Sequence, residues 1–158
     1  MFDLQPNQID VIVHPQSIIH SLVQFEDGSM KAQMGLPDMK LPIQYALAYP
    51  DRVKNSLTRF NFMDYPNLTF ESPDKKTFRN LALAYQAMEN GGNVPCVLNA
   101  ANEIAVAAFL RDEIGFLAMS DVIEKTMDTV DFIAQPSIED YIKTDELTRE
   151  IARNFLKK

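Results

Sequence analysis

The segment that most constrains the fold is residues 11–20, which read Val-Ile-Val-His-Pro-Gln-Ser-Ile-Ile-His. The β-branched run that ends at Val13 predicts a strand over residues 9–13. Pro15 ends this strand, because proline lacks an amide donor and restricts the residue before it. A buried strand so near the N-terminus needs neighbouring strands that this chain hardly supplies. We therefore expect the chain to be part of a larger protein.

A hairpin is predicted next, because Asp27-Gly28 lies between two strand-like runs at residues 18–25 and 29–35. If those two residues form the whole loop, Phe25 pairs with Met30 on an apolar face. His20 then lies on the opposite face, which carries mixed side chains and is expected to line a cleft or to meet a partner.

The rest of the chain reads as helical, apart from one connecting segment. Pro42 opens a predicted short helix over residues 43–49, and an aperiodic stretch rich in aromatic residues follows. Helical periodicity then predicts four helices joined by short connections, which is typical of an antiparallel bundle. Gly91-Gly92 is expected to stop the first of these helices, Ser120 to cap the third, and Ser137 with Asp140 to form a capping box at the start of the last. The predicted fold class is α+β, a small, largely antiparallel sheet followed by a four-helix bundle. The predicted domains are residues 1–50, a linker over 51–74, and a bundle domain over 75–158.

Charge and cysteine content exclude some classes of partner and suggest a compartment. The 158 residues include 22 acidic and 15 basic side chains, for a net charge of −7. This balance argues against a nucleic-acid ligand and against an anionic membrane surface. Cys96 is the single cysteine, so no internal disulfide forms, and no apolar run reaches the length of a membrane span. A cytoplasmic protein with Cys96 as an inert core thiol is predicted.

Motifs of self-sufficient enzymes are absent from the sequence. It contains no Gly-rich dinucleotide fingerprint, no phosphate-binding loop, no zinc-spaced Cys/His set and no nucleophile elbow. The two histidines, His14 and His20, remain the main candidates, and two interpretations stay open. They contact substrate or serve in acid–base work, or they satisfy backbone groups where the strands cross. A metal site made of these two histidines alone is disfavoured.

Three other features also allow two interpretations. Asp38 is either a functional loop acid or a cap for the following turn. Met39, with Met34, forms either a pliable pocket wall or part of the core. Asn99 and Asn102 lie three residues apart in a predicted helix, where asparagine is unfavourable. They either hydrogen-bond across the bundle, the preferred interpretation, or face a ligand.

Two long motifs resemble the 1-deoxy-D-xylulose 5-phosphate reductoisomerase family, and the resemblance covers essentially the whole chain. The first comprises His14-Pro-Gln-Ser-Ile-Ile-His20-Ser, Asp27-Gly28-Ser29, Ala32-Gln33-x-Gly35-x-Pro37-Asp38-Met39 and Pro42-Ile43. The second is Leu98-Asn99-Ala-Ala-Asn102-Glu103-Ile-x-Val106-Ala-Ala-Phe109-Leu110.

The resemblance implies an activity in non-mevalonate isoprenoid biosynthesis. That family is an oxidoreductase and isomerase that converts 1-deoxy-D-xylulose 5-phosphate to 2-C-methyl-D-erythritol 4-phosphate with NADPH and a divalent cation, magnesium, manganese or cobalt. Its members are homodimers. This chain resembles only the C-terminal part, without the cofactor fingerprint, the metal ligands or the active-site lid. We therefore expect the isolated chain to be inactive and to bind neither NADPH nor metal.

The resemblance also implies positions for a few residues. Those matching His14, Ser17 and His20 lie near the family's active site, where His20 has a supporting role. Pro37 and Met39 match positions in the pocket wall. The hairpin matches part of the sheet that builds the dimer. The competing hypothesis is a non-catalytic interaction or dimerisation module that keeps the fold without the chemistry.

Overall fold

A computed structural model describes residues 4–156. Contacts between residues divide the described chain into two units, each compact in itself. The hairpin unit comprises residues 11–73, and the helical unit comprises residues 4–10 and 74–156.

The hairpin unit contains two antiparallel strands and one helix, β1 (Ile19–Gln24), β2 (Met30–Met34) and α1 (Lys40–Ala48). The helix was predicted to begin after Pro42, but it begins at Lys40. Pro42 therefore lies in the first turn, where a backbone N–H has no intrahelical partner and its absence costs nothing.

The predicted hairpin forms, but its predicted register is wrong by one residue. The Phe25 N–H donates to the Ser29 carbonyl at 2.9 Å, so the loop has three residues, 26–28. Gly28 supplies the left-handed position of this loop, at φ +82°. Consequently Ala32 faces Leu22 rather than Val23, and Gln33 faces Ser21. A shift of one residue exchanges the two faces of a strand.

The strand predicted over residues 9–13 does not form. Val13 forms an isolated antiparallel bridge with Glu71, through two backbone hydrogen bonds of 2.9 Å. β-Branched composition favours extended backbone, but a strand also needs a partner along its length. Within the described chain Glu71 supplies that partner at one position.

The helical unit is a bundle of α2 (Arg79–Asn90), α3 (Val94–Leu110), α4 (Phe116–Thr129) and α5 (Ile138–Leu156), after a short 3-10 helix at Pro6–Gln8. Small side chains on α3 let its neighbours pack closely against it. The buried core consists of Leu83, Ala101, Ala105, Met119, Val122, Ile123 and Ala152. The predicted α+β class with four C-terminal helices is confirmed.

The boundaries of the bundle helices depart from prediction at one point. Ser120 was predicted to cap the third helix of the bundle, but α4 begins four residues earlier, at Phe116, and Ser120 is buried within it. No helix among residues 4–156 is both long enough and apolar enough to cross a bilayer.

Candidate functional site

A cavity of about 930 Å³ lies within the hairpin unit, between the hairpin and α1. Three segments that are separate in sequence form its walls: the start of the hairpin with β2, the loop before α1, and α1 with the residues after it. The lining residues are Ser17, His20, Ser21, Gln33, Pro37, Asp38, Met39, Leu41, Pro42, Tyr45, Ala46, Tyr49 and Arg52.

An irregularity in β1 explains the polar wall. The register shifts between Ile19 and Ser21, so His20 is the extra residue of a bulge. His20 and Ser21 line the cavity together, beside Gln33 from β2. Gly35 is buried next to them, and a Cβ added there would lie 3.2 Å from Leu41 Cδ2. The glycine therefore allows the close approach of Leu41, which also lines the cavity.

Ser17 occupies a strained backbone position at the rim. Its φ is +51°, in the left-handed region that non-glycine residues seldom adopt. The Ser17 N–H donates to the His14 carbonyl at 3.0 Å, and the next residue, Ile18, is fully buried. The Ile18 carbonyl accepts a hydrogen bond from the Gly35 N–H at 2.9 Å. The backbone of Ser17 is thus fixed by the turn to His14 on one side and by the buried Ile18 on the other.

The loop before α1 contributes Pro37, Asp38 and Met39. Asp38 Oδ1 accepts a hydrogen bond from the Lys40 N–H at 2.9 Å, which supports the interpretation of Asp38 as a cap for the following turn. Met39 is 71% exposed, so core filling does not describe it. Pro37 and Met39 instead present apolar surface to the cavity.

The opposite wall contains residues that the sequence interpretation missed. The Arg52 guanidinium lies 3.8 Å from the centre of the Tyr45 ring, a cation–π contact. Tyr45 also meets Tyr49 edge to face, at 5.9 Å between ring centres. Of these three residues only Tyr45 lies in α1, because the helix ends at Ala48. The turn that follows the helix brings Tyr49 and Arg52 beside it, and helical spacing in the sequence does not signal this arrangement.

His14 is the one predicted pocket residue that does not line the cavity. Its Nδ1 donates to the Thr69 carbonyl at 2.8 Å, and its ring stacks on Phe70 at 4.8 Å. Its Nε2 is buried without a hydrogen-bond partner among the described residues. The structure therefore brings Ser17, His20, Pro37 and Met39 together and places His14 behind them. The role of all five toward substrate stays a prediction.

Two other candidate residues, Cys96 and Asn99, lie in the helical unit and contact structural neighbours rather than the cavity. Burial, followed by the nearby Asp145 carboxylate, raises the pKa of the Cys96 thiol, which keeps it protonated and unreactive at neutral pH. Asn99 donates to Glu103 Oε1 at 3.3 Å, and Glu103 in turn pairs with Arg149 of α5 at 2.8 Å. The asparagine thus belongs to a polar link between helices. Its ligand-facing alternative has no support in these contacts.

The described residues do not form a metal site of their own. Between residues 4 and 156, no three His, Cys, Asp or Glu side chains lie close enough together to hold an ion. The cavity lining offers hydroxyl, imidazole and amide groups, with one guanidinium and the carboxylate of Asp38. These groups suit hydrogen bonding to the oxygens of a small polar molecule.

Comparison with known proteins identifies the family. Residues 34–151 match the model of the DXP reductoisomerase C-terminal domain. The chain is 62% identical over 156 residues to the 1-deoxy-D-xylulose 5-phosphate reductoisomerases of Bacteroides fragilis and Bacteroides thetaiotaomicron. In each case the match covers 99% of this chain and 40% of the relative.

Solved structures agree. A DOX-P reductoisomerase in complex with NADPH, fosmidomycin and magnesium superposes with a TM-score of 0.87 and 39% identity, over 99% of this chain and 40% of that one. The enzyme from Zymomonas mobilis in complex with NADPH superposes with a TM-score of 0.82 and 44% identity, over 93% and 39%. The chain thus spans about 40% of the length of the curated relatives it matches, and it belongs to the DXP reductoisomerase family, whose C-terminal domain model it matches.

Proposed function

We propose that this chain forms the C-terminal part of an NADPH- and divalent-cation-dependent enzyme that converts 1-deoxy-D-xylulose 5-phosphate to 2-C-methyl-D-erythritol 4-phosphate. The observation that carries the proposal is the cavity, in which Ser17, His20, Pro37 and Met39 converge from two sequence segments. Family membership supports the same reaction, and so do the ligands bound in a related solved structure, NADPH, magnesium and fosmidomycin.

In this proposal the chain supplies one wall of the substrate pocket. The Ser17 hydroxyl, the His20 imidazole and the Gln33 amide donate hydrogen bonds to substrate oxygens, while Pro37 and Met39 exclude water. His20 acts as a supporting residue that orients substrate. The described residues offer no ligand set for the cation. In this proposal, as the resemblance to the C-terminal part of the family implies, the NADPH-binding domain and the cation ligands belong to the rest of such an enzyme.

The proposal includes domain roles and assembly. Residues 1–50 belong to the catalytic domain, residues 51–74 form the linker, and residues 75–158 form a separate bundle domain. The division of contacts between residues 73 and 74 supports a boundary there. The same division groups residues 51–73 with the hairpin unit and residues 4–10 with the helical unit, so it does not support a separate linker or a domain that begins at residue 1. The working enzyme is a cytoplasmic homodimer that assembles through the hairpin sheet. Exposed Val23, Phe25 and Met30 on the hairpin support this contact.

A second candidate function is a non-catalytic interaction or dimerisation module. The same exposed apolar side chains favour it, because a two-stranded sheet with Val23 57% and Phe25 51% exposed is an incomplete structure. In this alternative the hairpin recruits a partner or a second copy, and the cavity carries no chemistry.

The test is a chimera in which this chain replaces the matching 40% of the Bacteroides fragilis relative. NADPH oxidation with 1-deoxy-D-xylulose 5-phosphate is measured with magnesium or manganese, beside the 158-residue chain alone. We expect activity in the chimera and none in the chain alone, because catalysis requires the cofactor and substrate to be held together.

A paired variant connects activity to the cavity. His20→Gln in the chimera keeps a hydrogen-bonding side chain and is expected to lower kcat/KM about tenfold to a hundredfold, a range typical of lost orientation. Lys125→Gln, on the exposed surface of α4, is the matched control and is expected to have no effect. A folded chimera without activity favours the interaction module.

A further inference from the structure

Thr69 has all three of its polar groups bonded to side chains far away in sequence. Its N–H donates to Gln16 Oε1 at 3.1 Å, and its hydroxyl accepts from Gln16 Nε2 at 2.8 Å. Its carbonyl accepts from His14 Nδ1 at 2.8 Å. Both the oxygen and the nitrogen of the Gln16 side-chain amide are therefore bonded to Thr69. We call His14, Gln16 and Thr69 the Thr69 clamp.

The clamp is reinforced on both sides. The backbone bridge between Val13 and Glu71 adds two hydrogen bonds of 2.9 Å, and the His14 ring stacks on Phe70. Residues 13–16 are thus fixed to residues 69–71 by main-chain, side-chain and ring contacts together. The turn before Ser17 is thus tied to a segment that lies 53 residues further along the chain.

The residue that directly follows the clamp is Ser17, whose φ of +51° is unfavourable for a side chain with a Cβ. A strained residue persists where the surrounding structure fixes its neighbours on both sides. Here Gln16 is fixed on one side by Thr69, and Ile18 is fixed on the other by complete burial. The clamp thereby sets where the Ser17 hydroxyl enters the cavity.

We propose that His14, Gln16 and Thr69 are positioning residues that hold Ser17 and His20 in place at the cavity wall. This inference rests on the proposed function for its kinetic consequences. None of the three residues lines the cavity, so their effect on a ligand passes through Ser17 and the bulge at His20. His14, predicted as a pocket residue, affects the ligand in this proposal only through the residues that it helps to position.

Two substitutions at Gln16 distinguish the effect of its hydrogen bonds to Thr69 from the effect of its side-chain volume. Gln16→Leu removes both bonds to Thr69 at similar volume. Gln16→Glu keeps both contacts, because a carboxylate accepts from the Thr69 N–H and also from the Thr69 hydroxyl. In the active chimera, Gln16→Leu is expected to raise the KM for the sugar phosphate about tenfold and to leave the KM for NADPH unchanged. Gln16→Glu is expected to stay within about twofold of the parent.

A merely structural role gives a different pattern. If the clamp only stabilises the fold, Gln16→Leu lowers the amount of active enzyme, and both KM values stay at the parental level. That outcome overturns the proposal. Should Gln16→Leu prevent folding, Thr69→Val provides a milder change that removes the hydroxyl alone, and Thr69→Ser is its control.

A second readout needs no activity. In the ¹⁵N-labelled 158-residue chain, Gln16→Leu is expected to move the amide resonances of Ser17 and His20 and to leave those of the α3–α4 core in place. Unmoved resonances at Ser17 and His20 contradict the clamp. If the parental chimera is inactive, the proposed function fails, and these resonances still decide whether the clamp positions the wall.

Discussion

Gly92 occupies the most demanding backbone position in the helical unit. Its φ is +54°, and a Cβ added there would lie 2.3 Å from the Ile133 carbonyl oxygen. The neighbouring Asn93 is 1% exposed and fixes the same region, since its amide donates to the Asp131 carbonyl and accepts from the Ile133 N–H, both at 2.9 Å. The α2–α3 junction is thus fastened to the connection between α4 and α5.

Gly92→Ala is expected to lower the free energy of unfolding by about 2–4 kcal/mol, because it combines an unfavourable φ with a backbone clash that no side-chain motion relieves. Urea unfolding followed by circular dichroism at 222 nm measures the change. Gly115→Ala is the matched control, since its Cβ meets nothing within 4 Å and its φ is ordinary. Equal losses from the two substitutions would contradict this account.

At the residue scale, the sequence was informative wherever local chemistry decided the outcome. The Gly91-Gly92 pair was correctly interpreted as a helix stop, and Asp38 acts as the turn cap that was preferred. It was uninformative where a partner lies far away along the chain. Neither Thr69 as the partner of Gln16 nor Ile133 as the neighbour of Gly92 has a local signature.

At the element scale, the start of α5 is a capping box that the sequence predicted. The Ser137 N–H and hydroxyl donate to Asp140 Oδ2 at 3.0 and 2.8 Å, and the Asp140 N–H donates back to Ser137 Oγ at 3.2 Å. The backbone hydrogen bond from Ser137, followed by that from its hydroxyl, holds the pKa of Asp140 below its usual value. The carboxylate is therefore the form that stabilises the helix start.

Because the pKa of Asp140 is lower in the folded chain, its contribution is complete above the unfolded pKa of about 4. It is lost as the pH falls through the folded pKa. The difference in urea midpoint between the parent and Asp140→Asn is thus expected to be constant from pH 7 to 5 and to shrink below pH 4. In a Ser137→Ala background the difference should be smaller but should keep the same pH dependence, because the backbone N–H of residue 137 still donates to the carboxylate. A difference independent of pH in the parent would exclude this mechanism.

The hairpin shows why elements are easier to predict than their pairing. Asp27-Gly28 marks the turn correctly, but one residue more or less in the loop decides which side chains share a face. The three-residue loop and the bulge at His20 together set the wall of the cavity. A bulge depends on the sheet's neighbours rather than on the strand's own composition, so the sequence did not reveal it.

At the scale of the whole molecule, the main buried cluster lies in the helical unit, and the hairpin exposes Val23, Phe25 and Met30. We expect the 158-residue chain to associate at high concentration, so that light scattering reports about twice its mass of 18.0 kDa. The double substitution Val23→Lys and Phe25→Lys is expected to restore the monomer mass, because charges on a strand block edge pairing.

The matched control for this prediction is Phe132→Lys, since Phe132 is 59% exposed but lies in the helical unit. It should leave the mass of the associated species unchanged. A parent chain that stays at 18.0 kDa at every concentration would contradict association through the hairpin.

The cavity has a further consequence for how its wall can vary. Its lining and the clamp behind it all fall between residues 13 and 71, within one unit of the chain. A single uninterrupted piece of coding sequence therefore specifies both the cavity wall in this chain and the Thr69 clamp. Related genes can exchange this piece in one recombination event. A crossover between the codons of Gln16 and Thr69 instead combines Gln16 from one parent with Thr69 from the other, and so tests whether the two residues remain compatible.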